Sequence, residues 1–94
     1  LTRAVALEGA PHGVTCVAVS PTWVETEMLQ ASAGVMARAT GTSVESQLAQ
    51  LSEANPQGRL VQADEIGALV KFLCSDAAAA LTMEDIQVNA GAWW

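Results

Sequence analysis

A short apolar run, Val14-Thr15-Cys16-Val17-Ala18-Val19, breaks off into Ser20-Pro21-Thr22-Trp23-Val24-Glu25-Thr26, and this junction holds the residues best suited to chemistry. Such a run reads as a buried strand, and open α/β sheets place their ligands just beyond the carboxyl ends of strands. A hydroxyl at that position can donate to or accept from a polar ligand, which makes Thr26 a candidate contact residue. The competing account is that Ser20 or Thr26 only caps the helix that follows. His12 is the single histidine. It stands with no Ser, Cys or carboxylate in an interpretable catalytic pattern and reads as a solvated turn residue. Cys16 and Cys74 are far apart, with neither a Cys-x-x-Cys pair nor clustered His, so no metal site is expected. Both thiols are expected to behave as small buried hydrophobes.

The elements that must position these residues sit in a chain of 94 residues, which allows at most one small domain. With 51% hydrophobic and 15% charged residues, the chain is apolar for its size, because small domains bury a smaller share of their surface. The excess apolar surface calls for a partner. A net charge of −6 with four Lys and Arg argues against nucleic acid and anionic membrane, since binding there depends on cations that release condensed counterions. No apolar run approaches the roughly 20 residues of a membrane-spanning helix, and Leu1-Thr2-Arg3-Ala4-Val5 lacks the pattern of a secretory signal. The sequence therefore reads as soluble and cytoplasmic.

Residues 1–10 have helical spacing but no N-cap signal, as if the first turns of that helix were cut away. Pro11-His12-Gly13 stops the helix and turns the chain into the strand. Helical spacing returns from Glu25 to Ala39, with Met28, Ala31 and Val35 on one stripe and Leu29 and Met36 beside it. A second short helix follows, carrying Leu48 and Leu51, with Thr42 or Ser43 as its cap. Asn55-Pro56-Gln57-Gly58 closes this helical excursion as a tight turn. The strongest helical pattern spans Gln62 to Ser75, with Ile66, Leu69, Val70 and Leu73 on one stripe, Phe72 at its flank, and Asp64 and Glu65 in the first turn. Ile86-Gln87-Val88 alternates as a brief strand before Asn89-Ala90-Gly91. Strand, excursion, helix, strand is a βαβ arrangement with parallel strands. Two parallel strands do not form a stable sheet alone, so neighbours must come from elsewhere.

In order along the chain, these residues resemble the short-chain dehydrogenases/reductases. Leu1-Thr2-Arg3-Ala4-Val5-Ala6-Leu7-Glu8 is similar to the helix after that family's Tyr-x-x-x-Lys pair. Val19-Ser20-Pro21-Thr22-Trp23-Val24-Glu25-Thr26 is similar to its Pro-Gly-x-Val-x-Thr nicotinamide loop. Gly58-Arg59-Leu60-Val61 with Glu65-Ile66, Phe72-Leu73-Cys74-Ser75-Asp76-Ala77-Ala78, and Val88-Asn89-Ala90-Gly91 continue the match. Trp23 and the segment from Leu51 to Gly58 look most like the branch of 3-hydroxybutyrate dehydrogenases and 3-hydroxyacyl or 3-oxoacyl reductases.

The resemblance implies the α/β fold class: the carboxyl-terminal portion of a Rossmann-type, doubly wound parallel sheet, built as helix, strand, helical substrate lid, helix, strand. Residues 1–94 would then form one incomplete dinucleotide-binding domain of an NAD- or NADP-dependent oxidoreductase acting on a small carbonyl or secondary alcohol. The implied cofactor contacts are Pro21, Thr22 and Val24 through the main chain and Thr26 through its hydroxyl. The implied substrate contacts are Trp23 and Met28, for which core packing is the alternative. No catalytic residue is expected in the chain, which has no tyrosine, and Lys71 reads as a solvated charge. The segment is expected to be inactive by itself. The implied partners are a missing N-terminal part or another copy of the chain, in a homo-oligomer that Trp93-Trp94 would help anchor. A non-catalytic oligomerising module derived from the same fold is the alternative. Three departures bear on the backbone, one of them Val17 in place of a frequent Asn in the strand. Thr22 replaces a usual Gly and would be strained at positive φ, and Ala90 replaces the first Gly of the final motif.

Overall fold

The structure is a computed structural model that describes residues 1–92, so the expected Trp93-Trp94 anchor lies outside the described residues. The chain forms two compact units.

The first unit comprises Leu1–Ser20 and Asp64–Gln87. Its opening helix, α1 (Thr2–Gly9), runs into a single 3-10 turn over Ala10–His12 and stops at Gly13, which takes the left-handed φ of 73° that a glycine tolerates. His12 is exposed in that turn, as expected. The strand β1 (Ala18–Pro21) begins later than the apolar run suggested. Val14 is exposed and donates its N–H to the Gly9 carbonyl, 3.1 Å away, so its backbone closes the helix end instead of joining a ladder.

β1 pairs with β4 (Asp85–Val88). Met83 N–H donates to the Cys16 carbonyl and Ala18 N–H to the Glu84 carbonyl, both at 2.9 Å. Moving forward along one strand moves forward along the other, so the pair is parallel, as the βαβ reading requires. Ser20 Oγ donates to Asp85 Oδ1 at 2.6 Å, a polar link across the same two strands. Helix α4 (Ala63–Leu73) carries Asp64 and Glu65 in its first turn. Its stripe is only partly covered: Ile66, Leu69 and Leu73 are half-buried while Val70 and Phe72 are exposed. Cys16 is half-buried, but Cys74 is exposed just past the end of α4, contrary to the buried environment expected of it.

The second unit comprises Pro21–Ala63 and residues 88–92. Its helices are α2 (Glu27–Thr40) and α3 (Val44–Glu53), which pack against each other. Gly41, at φ 72°, ends α2, and Ser43 is the cap of α3, its Oγ accepting from Ser46 N–H at 3.1 Å. Gln47 Nε2 donates to the hydroxyls of Thr42 (2.8 Å) and Thr40 (3.3 Å), which ties the two helices at the bend.

The buried stripe of α2 is Leu29, Ala33 and Ala37 rather than Met28, Ala31 and Val35. Both stripes have helical spacing, and the buried one is that whose small alanines allow close approach of a neighbouring element. Two further strands escaped sequence reading, β2 (Val24–Glu25) and β3 (Val61–Gln62), paired in parallel with Val24 opposite Val61. Two residues are too few to show a period, and only their pairing across the excursion makes them strands.

Candidate functional site

The expected cofactor and substrate residues all fall in the second unit, on the segment that joins the end of β1 to the first turn of α2. Pro21 closes β1 and is exposed. Thr22 donates its backbone N–H to the Val88 carbonyl at 3.2 Å, which fixes the start of the loop. Its φ is not positive: among the described residues the non-glycine positions with positive φ are Met83, at 64°, and Ala90, at 51°. The anticipated strain is therefore absent from Thr22, and it appears instead at Ala90, the other position where the resemblance expects glycine.

Trp23 accepts from Val61 N–H through its carbonyl, at 3.3 Å. In a parallel pair, a residue that bonds the positions flanking its partner leaves that partner's own amide and carbonyl turned the other way. Val24 N–H and C=O thus point away from β3, as a donor and an acceptor side by side on a short, paired strand. Glu25 Oε2 accepts from Gln62 Nε2 at 2.7 Å, so the next pair down is also tied across β2 and β3.

Thr26 is the N-cap of α2: its backbone is extended, with φ −135° and ψ 168°, and its Oγ1 accepts from Leu29 N–H at 3.2 Å. The capping alternative therefore holds. That bond uses a lone pair of the oxygen and leaves the O–H proton as a donor, so capping and ligand contact are compatible. An amide needs one acceptor and one donor in fixed positions. The outward main chain of Val24 and the hydroxyl of Thr26 fit that need.

Neither Trp23 nor Met28 is packed into a core by the described residues. Trp23 is 47% exposed and Met28 80% exposed. Met28 lies on the uncovered face of α2 with Val35 and Met36, which are more than half exposed. An open groove in the same unit is lined by Glu25, Glu45, Leu48, Ser52, Arg59 and Gln62, among others. Glu25 is the one residue of the candidate loop that lines it; Pro21, Thr22, Trp23, Val24, Thr26 and Met28 do not.

Sequence reasoning missed Asn55. It is 2% exposed, and its Nδ2 donates to the Arg59 carbonyl at 2.8 Å, bracing the turn that ends the excursion. A buried asparagine and a solvated turn asparagine look alike in a sequence, and Asn55-Pro56-Gln57-Gly58 carries turn signals only.

Residues 1–92 match the family profile described as Enoyl-(Acyl carrier protein) reductase. D-beta-hydroxybutyrate dehydrogenase of Cupriavidus necator is 42% identical over 78 residues, which are 82% of this chain and 30% of that protein. A short chain dehydrogenase family protein from Francisella tularensis, solved by crystallography, superposes with a TM-score of 0.93 at 29% identity, covering 96% of this chain and 37% of that one. An actinorhodin polyketide ketoreductase variant solved with NADPH superposes with a TM-score of 0.84 at 34% identity, covering 96% of this chain and 34% of that one. The chain thus spans about a third of the length of the relatives it matches. The likeness shows a portion of a Rossmann-type α/β fold.

Proposed function

The chain belongs to the short-chain dehydrogenase/reductase family, and on that premise we propose that it is the carboxyl-terminal segment of an NAD(P)-dependent oxidoreductase that interconverts a carbonyl and a secondary alcohol. The observation that carries the reading is the segment between β1 and α2. It leaves the carboxyl end of a parallel strand, turns the Val24 amide and carbonyl away from β3, and ends in the Thr26 hydroxyl. Ligands of open α/β sheets are met at such strand ends.

In this reading Pro21, Thr22 and Val24 hold the carboxamide of the nicotinamide through their main chain, and Thr26 Oγ1 donates to the carboxamide or the pyrophosphate. Thr22 is held by Val88 and Val24 by its pairing with β3, so these groups need little reorganisation on binding. Hydride chemistry is what the bound cofactor contributes. Proton transfer to and from the substrate oxygen is assigned to residues outside 1–94, since this chain has no tyrosine and its single histidine is an exposed turn residue. The exposed Trp23 and Met28 face the substrate, and α2 with α3 forms the lid over it. The names of two relatives, the D-beta-hydroxybutyrate dehydrogenase and a 3-oxoacyl-(acyl-carrier-protein) reductase of Pseudomonas aeruginosa, support a short 3-hydroxy acid or a 3-oxoacyl chain as substrate.

The test uses the complete protein that contains these residues. NADH and NADPH are offered with short 3-oxo acids and their thioesters, and the loss of reduced-nicotinamide absorbance is followed. Turnover with one of the two cofactors is expected, together with none from residues 1–94 alone. A complete protein that binds neither cofactor refutes the proposal, and turnover by residues 1–94 alone refutes the placement of the proton-transfer groups elsewhere.

A further inference from the structure

We propose that Gly91 is a positioning residue: the turn of residues 89–92 clamps the returning end of the α2–α3 excursion, and the clamp depends on position 91 having no side chain. The consequence for catalysis rests on the reading of the excursion as the substrate lid, whereas the clamp itself does not.

Two turns meet within the second unit. The first ends the excursion. Ala54 and Asn55 donate their N–H groups to the carbonyls of Gln50 and Ser52, both at 3.1 Å, which carries the last turn of α3 into the bend. Gly58 N–H then donates to the Asn55 carbonyl at 2.7 Å, while the buried Asn55 side chain holds the Arg59 carbonyl. The second turn follows β4. Asn89 Oδ1 accepts from Gly91 N–H at 3.1 Å, Asn89 Nδ2 donates to the Ala92 carbonyl, and Ala92 N–H donates back to the Asn89 carbonyl at 2.8 Å. Each turn is therefore fixed by its own bonds.

They join at two places. Gln57 N–H donates to the Ala90 carbonyl at 2.9 Å. A Cβ built on Gly91 would lie 2.9 Å from Pro56 Cβ, closer than real side chains come, and a tight 3.2 Å from its Cγ. Gly91 also has φ 87°, and Ala90 beside it is held at φ 51° while 8% exposed. An alanine in that region is disfavoured and persists only where its surroundings over-determine it, as these bonds do. A side chain at 91 must push Pro56 away, stretch the Gln57–Ala90 bond and release the last turn of α3. At its other end α3 is tied to α2 through Gln47, Thr40 and Thr42, so the release extends along α3 to the α2–α3 bend.

The glycines offer a matched control. Gly41 has φ 72° and nothing within 4 Å of an added Cβ, so Gly41→Ala carries the backbone penalty without the collision. In the complete protein, Gly91→Ala is expected to raise amide hydrogen exchange at Gln57 and in the last turn of α3 by about tenfold, with β4 amides unchanged and Gly41→Ala leaving Gln57 as in wild type. The KM for the carbonyl substrate is expected to rise several-fold while the nucleotide Kd stays constant. Adding Pro56→Gly to Gly91→Ala removes the colliding ring and is expected to restore Gln57 protection, also where the single variant folds poorly. Equal exchange at Gln57 in the Gly91→Ala and Gly41→Ala proteins, or a double variant no better than Gly91→Ala, overturns the clamp. Faster exchange at Gln57 with KM unchanged supports the clamp and refutes the lid reading.

Discussion

Replacing Thr26 separates the job the structure shows for its hydroxyl from the job the functional reading assigns to it. The hydroxyl accepts from Leu29 N–H at 3.2 Å, satisfying one of the amides that a helix start leaves without a partner. Loss of such a cap costs about 1 kcal/mol, so Thr26→Ala is expected to destabilise the protein by that amount. Thr26→Asp keeps the acceptor and adds a charge that the helix dipole favours by a few tenths to about 1 kcal/mol, so its stability is expected to match or slightly exceed that of wild type. Nucleotide binding orders the two variants differently. Losing one donated hydrogen bond costs about 0.5–1.5 kcal/mol, which is roughly 2- to 12-fold in Kd, for Thr26→Ala. Thr26→Asp loses the same donor and sets a carboxylate beside an anionic dinucleotide, so its Kd is expected to rise further still. Thr26→Ser is expected to preserve both properties. Denaturant unfolding and fluorescence titration of the reduced cofactor, both on the complete protein, give the two readouts. A Thr26→Asp protein that binds nucleotide as tightly as wild type refutes the donor role, and a Thr26→Ala protein of unchanged stability refutes the cap.

Met28→Gln, at a site 80% exposed, is expected to leave the thermal midpoint unchanged, because isolated surface substitutions shift stability by at most about 0.5 kcal/mol; if Met28 faces substrate, steady-state kinetics will show a raised KM. Val61→Ala removes two carbons from a side chain 1% exposed, with an expected loss of about 2 kcal/mol of stability, read as a lower denaturant midpoint at constant slope. Asn55→Asp replaces the Nδ2 donor to the Arg59 carbonyl by an acceptor at a site 2% exposed, and is expected to cost about 3 kcal/mol or more by thermal or denaturant unfolding, because a buried charge without a partner is strongly disfavoured.

Much of the architecture was legible because its signals are local. Gly13 and Gly41 stand at helix ends and take the positive φ that marks them. Ser43 and Thr26 cap the helices they precede, and Asn55-Pro56-Gln57-Gly58 closes the excursion as its turn chemistry requires. The parallel relation of β1 and β4 followed from the helical crossover between them, since a parallel pair needs a long connection. The candidate loop was legible as well, from its place after an apolar run and from its likeness to a known motif.

Tertiary structure decided what depends on residues distant in sequence. Two stripes of α2 have equally good helical spacing, and tertiary packing selects Leu29, Ala33 and Ala37 for burial while leaving Met28, Val35 and Met36 exposed. Thr22 escapes positive φ and Ala90 does not, because the turn that Asn89 closes sets the backbone there. Val24 becomes a strand residue only by meeting Val61. Gly91 is a separate matter from the turn glycines, since what constrains it is Pro56, 35 positions earlier. By itself the sequence determined the order of the helices and the turns that end them, because caps, turns and periodicity act within a few residues. Which face is buried and which small residue is indispensable was settled by the fold, because close packing is a property of surfaces that meet only after the chain has returned on itself.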